Sequence, residues 1–453
     1  MTTTSNDATS NDATSNDATS NDATSNDTTA VVRRARHLGR TRVIALMMIV
    51  IGVFTGWVFG LGSASSARSS LTFNPVDLSA NAPWHVGTLT LATRWSVLVL
   101  ALVILALGVE VFWREPRRGV MARFGVVAVL FLVALLLWAA RTPGPSPVSF
   151  VNVTAVLIGA SAYAMVLIFG SLSGVMCERS GVVNIAIEGQ YIVGAFVGTI
   201  FASTTHNFFY AAIAGAIAGG LLGLLLAFLA VRYLSDQIIV GVVIVTMVTG
   251  LSSYLNLQVF TPYPNLNTGN LAPNLPIPLL TKIPVLGPVF FDQSGFFYLM
   301  IILVGVVSFA LFKTRYGLHV RAVGEHPEAA STVGINVARV RYRNVILGGA
   351  IAGVGGVAFM ASQGQFQPGY TSGLGYIALA AMIFGRWRPS GAVVASIIFG
   401  LSVYLAYNLQ TYQVPLSTYI LQMFPYLITI LVVSGLVGRV RAPAADGIPY
   451  HRE

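Results

Sequence analysis

The chain has 453 residues, 55% of them hydrophobic and only 9% charged, with a mean hydropathy of +0.74. Soluble domains carry about 25% charged residues, so this composition leaves no water-facing shell and excludes an ordinary soluble enzyme; its helices must face lipid. The net charge of +10 does not mark a nucleic-acid surface, because the cations cluster at the ends of apolar stretches, where they act as topology signals.

Residues 4–27 repeat Thr-Ser-Asn-Asp-Ala almost without variation. That tract has no apolar face to bury, so residues 1–30 are expected to be a disordered tail. The basic cluster Arg33, Arg34, Arg36, Arg40 and Arg42 follows it, an order that does not fit a signal peptide. A membrane span needs about 20 apolar residues. The stretches 43–62, 95–113, 124–140, 150–173, 182–203, 209–231, 237–258, 296–312, 344–362, 374–385, 391–408 and 419–437 are candidates. They predict an all-α polytopic membrane protein of about twelve transmembrane or re-entrant helices. The stretch 374–385 is too short to cross at ordinary tilt and reads as a half-helix or re-entrant segment.

With the N-terminus inside, all of the 26 Lys and Arg residues except Arg68, Arg94, Arg141 and Lys282 fall on the cytosolic side. Both termini are therefore expected in the cytosol, with the Pro- and Asn-rich loop 259–293 outside. The composition also breaks at Arg141-Thr-Pro-Gly-Pro-Ser-Pro147, a stiff linker in which a helix cannot continue. Beyond it, glycines become dense within the spans, a pattern that lets helix backbones approach closely in lipid. The expected organisation is a tail (1–30), an accessory region with three spans (31–147), a working core (148–441) and a cytosolic tail (442–453).

Three segments stand out as carriers of function. In the first, Glu188 lies inside an apolar span with Asn184 one helical turn before it and Gln190 just after. A mid-bilayer carboxylate costs about 2.5–3.5 kcal/mol on insertion scales, so it must face protein or water. Either it lines a polar path or it fixes a neighbouring helix. In the second, Gly324 to Gly334 reads as one short helix within a basic loop. Pro327 suits the first helical position, Glu328 the positive end of the dipole, and Gly334 the terminus. It is either a force-transmitting element or an ordinary amphipathic connector. The third segment, Gln363 to Tyr376, mixes amides and aromatic rings at the outer mouth, including Gln365, Phe366 and Tyr370. Amides donate and accept and aromatic faces stack flat rings, which suits a hydroxylated or heterocyclic solute. An external loop with turn glycines is the plainer alternative.

The chain has two lysines, Lys282 and Lys313, and neither stands in the Gly-Lys-Ser/Thr setting that a P-loop requires. Cys177 is the lone cysteine, and no His-Glu-x-x-His pattern occurs, so no metal site is expected.

Taken together and in order, the three segments resemble the permease subunits of nucleoside and simple-sugar ABC importers. This is the group working with basic-membrane-protein-type lipoproteins, within the branched-chain amino acid and ribose permease superfamily. The match rests on Glu178-Arg-Ser-Gly-Val-Val-Asn-Ile-Ala-Ile-Glu-Gly189, on Arg321-Ala-Val-Gly-Glu-His-Pro-Glu-Ala-Ala330 with Val333-Gly-Ile-Asn336, and on Gly375-Tyr-Ile-Ala-Leu-Ala-Ala-Met-Ile-Phe-Gly-Arg-Trp-Arg-Pro389. The resemblance implies a plasma-membrane transport subunit rather than an enzyme. It would pair with a second permease chain, most simply as a heterodimer. A cytosolic ATPase that itself binds ATP and Mg would drive it, and an extracellular lipoprotein would deliver a nucleoside or, alternatively, a ribose-like sugar. It also implies a coupling helix to the ATPase at Glu325, His326, Pro327, Glu328, Ala329, Ala330 and Gly334. The residues Asn184, Glu188, Gln190, Gln363, Gln365, Phe366 and Tyr370 are candidates for the translocation path. An ion-coupled secondary transporter would show more intramembrane charge than Glu188, and a membrane enzyme would show a clustered acid–base set. Three extra spans precede the region of resemblance.

Overall fold

Two compact units divide the chain. The computed structural model describes residues 39, 41–74, 87–116, 119–141, 150–268, 271–412, 417–423, 426 and 441–450. The repeat tail, Arg33, Arg34, Arg36 and Arg40, most of the stiff linker and most of the expected span 419–437 lie outside the described residues. Among the described residues, nine helices are long and apolar enough to cross a membrane.

The first unit runs to Ser69 and resumes over Leu91–Ser149. It holds α1 (Thr41–Leu61), α2 (Thr93–Arg114) and α3 (Val120–Ala139). Their shared core is Ile44, Ala45, Met48, Ile104, Val111, Val120 and Val127, and large apolar side chains such as Trp57, Trp95 and Trp113 are exposed. At one end Glu110 pairs with Arg123 at 3.3 Å, and Arg42 pairs with Glu115. Such partly exposed pairs are worth about 0–1 kcal/mol each, so packing holds this unit.

The second unit contains Phe150–Glu453. Its spans are α4 (Val153–Glu178), α6 (Phe208–Ala227, wound on to Arg232), α7 (Gln237–Leu255, wound on to Phe260), α8 (Gly295–Lys313), α11 (Val337–Gln363) and α13 (Pro389–Thr411). Between them lie α5 (Ile187–Thr205), α9 (Arg315–Glu325), α10 (Pro327–Thr332), α12 (Leu374–Phe384) and, later, α14 (Thr418–Gln422). Side-chain caps fix several starts: Asp236 accepts from Ile238 N (2.8 Å) and Ile239 N (3.1 Å), and Asn336 accepts from Arg339 N at 2.9 Å. Short strands fill connections: 70–72 runs parallel to 150–152, and Asn274–Pro276 runs antiparallel to Asp292–Ser294.

Helix α11 is the centre of this unit and packs on α4, α5 and α6. Its contact with α6 brings backbones together: a Cβ on Gly353 would sit 2.1 Å from Gly215 O, and one on Gly219 would sit 2.3 Å from Gly349 O. Only glycine fits there, as expected for close helix packing in lipid.

Two boundaries differ from the sequence expectation. Gly181, at φ +85°, interrupts the helix, and α5 begins only at Ile187. Asn184 therefore stands in the irregular connection before α5 rather than one helical turn before Glu188. The segment 324–334 also divides. His326 leaves the helical region (φ −142°, ψ 83°) because a following proline crowds the α conformation, so α9 ends at Glu325 and α10 starts at Pro327.

Candidate functional site

A cavity of about 310 Å³ opens where α11 ends. Tyr163 of α4, Phe359 of α11 and Tyr407 of α13 form its aromatic wall. The rings of Tyr163 and Tyr407 stack at 5.8 Å, and Phe359 lies 4.8 Å from the ring of Tyr370. The segment after α11 supplies Gln363, Gln365 and Gln367, and the turn before α12 supplies Tyr370 and Ser372. None of the lining side chains is charged. The Tyr370 hydroxyl is buried with no hydrogen-bond partner among the described residues. Burial and the nearby Glu188 carboxylate push its phenol well above the ordinary range, so it remains a neutral donor. Chemically the cavity offers amide donors and acceptors, one unspent hydroxyl and flat apolar faces.

Glu188 does not line this cavity. It is buried in the first turn of α5, where its Oε1 accepts from Thr371 Oγ1 (2.6 Å) and Gly373 N (3.0 Å), and its Oε2 accepts from Gly375 N (2.6 Å). These donors surround the start of α12. The carboxylate thus caps the positive end of a half-helix from a different helix, which satisfies orphan N–H groups and the dipole together. A Cβ on Gly375 would lie 2.5 Å from Glu188 N, so the approach requires glycine.

Asn184 and Gln190 are fully buried and face one another: Asn184 Nδ2 donates to Gln190 Oε1 (3.1 Å) and to Ser173 Oγ (3.2 Å). Together they form a closed polar knot between α4 and α5. Phe366 packs beneath the cavity against Phe196 and Tyr370, and Asn267 clamps its backbone N–H (2.9 Å) and C=O (3.0 Å). Of the seven path candidates, the structure brings Gln363, Gln365 and Tyr370 to the cavity. It places Phe366 against Tyr370 of the lining and Glu188 at the start of α12, whereas Asn184 and Gln190 lie farther along α4, at Ser173.

At the opposite end of α11, Ala330 is the inward anchor of α10, buried with Val323 and Val337. Glu325, His326, Glu328, Ala329 and Gly334 are exposed, and Pro327 is half-buried at the first helical position. Gly334 adopts φ +85°, the left-handed conformation that suits a helix stop. This exposed turn is surrounded by a buried node that sequence reasoning missed. Glu178 accepts from Trp387 Nε1 at 2.5 Å, Arg179 donates to Trp387 O at 2.9 Å, and Arg341 is 1% exposed. Arginines within a basic loop look alike in sequence, so nothing marked Arg341 as buried. Tyr163, Phe359, Gln367, Ser372 and Tyr407 were missed at the cavity. The alternation Gln363, Gln365, Gln367 was the available signal for one of them.

The profile of a protein family described as "Branched-chain amino acid transport system / permease component" matches residues 156–433. The nucleoside ABC transporter permease protein NupC of Lactococcus lactis subsp. cremoris is 40% identical over 300 residues, covering 64% of this chain and 94% of its own length. The guanosine ABC transporter permease protein NupQ of Bacillus subtilis is 37% identical over 317 residues, covering 66% of this chain and 98% of its own. The family match begins after the helices of the first unit. No solved structure matches the chain.

Proposed function

The chain belongs to the family of branched-chain amino acid transport system permease components, and we propose that it is the membrane-spanning permease subunit of a nucleoside ABC importer. Nine apolar helices among the described residues and the permease relatives support a multi-pass protein of the plasma membrane. In this reading α10 is the coupling helix, both termini are cytosolic, and the core pairs with a second permease chain. A separate ATPase binds ATP and Mg, and an extracellular lipoprotein delivers the solute. The first unit is an accessory region.

One observation carries the choice of solute: an uncharged cavity that combines stacked aromatic rings, three glutamine amides and an unspent tyrosine hydroxyl. Its volume lies at the low end of the roughly 300–1,000 Å³ of small-molecule sites. A nucleoside presents a flat base to the rings and amide-like edges and hydroxyls to Gln363, Gln365 and Gln367. A phosphate would enter with no cation to meet it, at the cost of desolvating its charge. Uptake of radiolabelled nucleoside by membranes holding the full importer tests this. Unlabelled nucleosides are expected to compete while nucleotides do not; equal competition by ribose would contradict the reading.

A further inference from the structure

The C-terminal segment 441–450 returns to the base of α10 and enters the buried node. Ala445 N donates to Gly324 O at 2.9 Å, and Ala444 N donates to the Glu325 carboxylate at 3.2 Å. Gly324 and Glu325 are the last residues of α9, immediately before α10. From α11, Arg341 Nη1 donates to Ile448 O at 3.0 Å. Its Nε and Nη2 have no partner among the described residues. Asp446 stands near Arg341 and Glu178, and its Oδ1 is buried without a hydrogen-bond partner among the described residues. Tyr450 packs against the cluster of Val323, Ala330 and Val337 that seats α10.

A buried guanidinium is tolerated only where a carbonyl or carboxylate compensates the lost hydration. Here the tail supplies the Ile448 carbonyl directly and places the Asp446 carboxylate in the field of the guanidinium. Gly181 shows how closely the parts fit, since a Cβ there would lie 3.0 Å from both Ala445 O and Arg341 Nη2. Glu178 also accepts from Trp387, whose carbonyl is held by Arg179, so the turn after α12 joins the same node. The start of α12 is the turn that Glu188 caps beside the cavity. The tail therefore bridges the seat of α10 to the helices that carry the solute site.

We propose that segment 441–450 is a clasp, with Arg341 and Asp446 as positioning residues, that fixes α10 to α4, α11 and the α12–α13 turn so that its movement reaches the cavity. The proposal rests on the reading of α10 as the coupling helix. Without the clasp, α10 still docks, but its displacement is absorbed by a loosened α9–α10 joint.

The test uses the intact importer, with both permease chains, the ATPase and the binding protein, in proteoliposomes. Ala445→Pro deletes the N–H given to Gly324, and Asp446→Ala removes the charge beside Arg341. Ile448→Ala keeps its carbonyl and serves as the control. For the first two, ATPase capture and ATP hydrolysis are expected to persist while nucleoside taken up per ATP falls about tenfold, within the usual range of coupling energies. Ile448→Ala should match the wild type. An unchanged uptake-to-ATP ratio in Ala445→Pro and Asp446→Ala overturns the clasp. So does joint loss of ATPase capture, which would make the tail part of the docking face, and so does failure of both variants to yield folded protein. Glu328→Arg examines the underlying reading separately. Retained ATPase capture there would remove the coupling helix and leave the effect of the tail still measurable.

Discussion

Tyr370 illustrates how one atom separates stability from function. Its hydroxyl is buried without a partner among the described residues, so the empty protein gains nothing from it. Replacing an unsatisfied buried hydroxyl by hydrogen is nearly neutral or stabilising. Tyr370→Phe is therefore expected to leave the thermal midpoint in detergent unchanged or raised. It should also weaken nucleoside transport about 3- to 10-fold in KM, corresponding to about one lost hydrogen bond. A lowered midpoint with unchanged KM would mean that the hydroxyl serves the fold. Asp446 is one group whose charge responds near neutrality. Burial raises its carboxyl to about 6, against the opposing pull of the nearby Arg341 guanidinium. A raised carboxyl pKa means that the docked tail holds the proton more tightly than the free tail. Docking is thus fully favoured below about 4, and that gain is lost as pH rises through about 6. A nitroxide on Ile448→Cys, selective because Cys177 is buried, should be less mobile at about pH 5 than at about pH 7.5. Asp446→Asn should abolish the difference, and a mobility that falls with rising pH would contradict the assignment.

Among the elements, α12 depends most on a residue outside itself. Its first N–H groups are satisfied by Glu188 across from α5. Glu188→Ala leaves them orphaned at a cost of about 1–3 kcal/mol for each buried donor. The thermal midpoint is expected to fall and transport to fail with it, whereas loss of transport at an unchanged midpoint would return Glu188 to the path itself. Much of this level was legible in the sequence. A mostly apolar run of eleven residues between Gly373 and Gly385 announces a helix too short to span, and Pro327 and Gly334 bracket α10 by backbone chemistry alone. What failed to show were features set by partners distant in sequence. Gly181 falls between the expected spans 150–173 and 182–203, but nothing local says that the chain stays out of the helix as far as Ile187. The sequence leaves open whether Glu188 lines a path or fixes a neighbouring helix, because the donors it accepts from lie about 185 residues downstream.

For the whole molecule, composition and the lengths of the apolar runs carry the all-α, membrane-spanning character, because lipid penalises charge at every helix regardless of tertiary detail. The cavity was legible only in part. Gln363, Gln365 and Tyr370 lie in one segment, but Tyr163, Phe359 and Tyr407 come from three different helices and are ordinary span residues when read singly. The role of the first unit follows from neither, as its helices lie outside the region matched by the family. The central claim is that the core is a passive path moved by a motor on another chain, since its own sequence has no P-loop. The most direct measurement is nucleoside uptake into proteoliposomes that contain the importer with an ATPase subunit unable to hydrolyse ATP. Uptake should fall to the level of empty vesicles under any imposed ion gradient. Uptake that continues on an ion gradient without ATP hydrolysis would contradict the account.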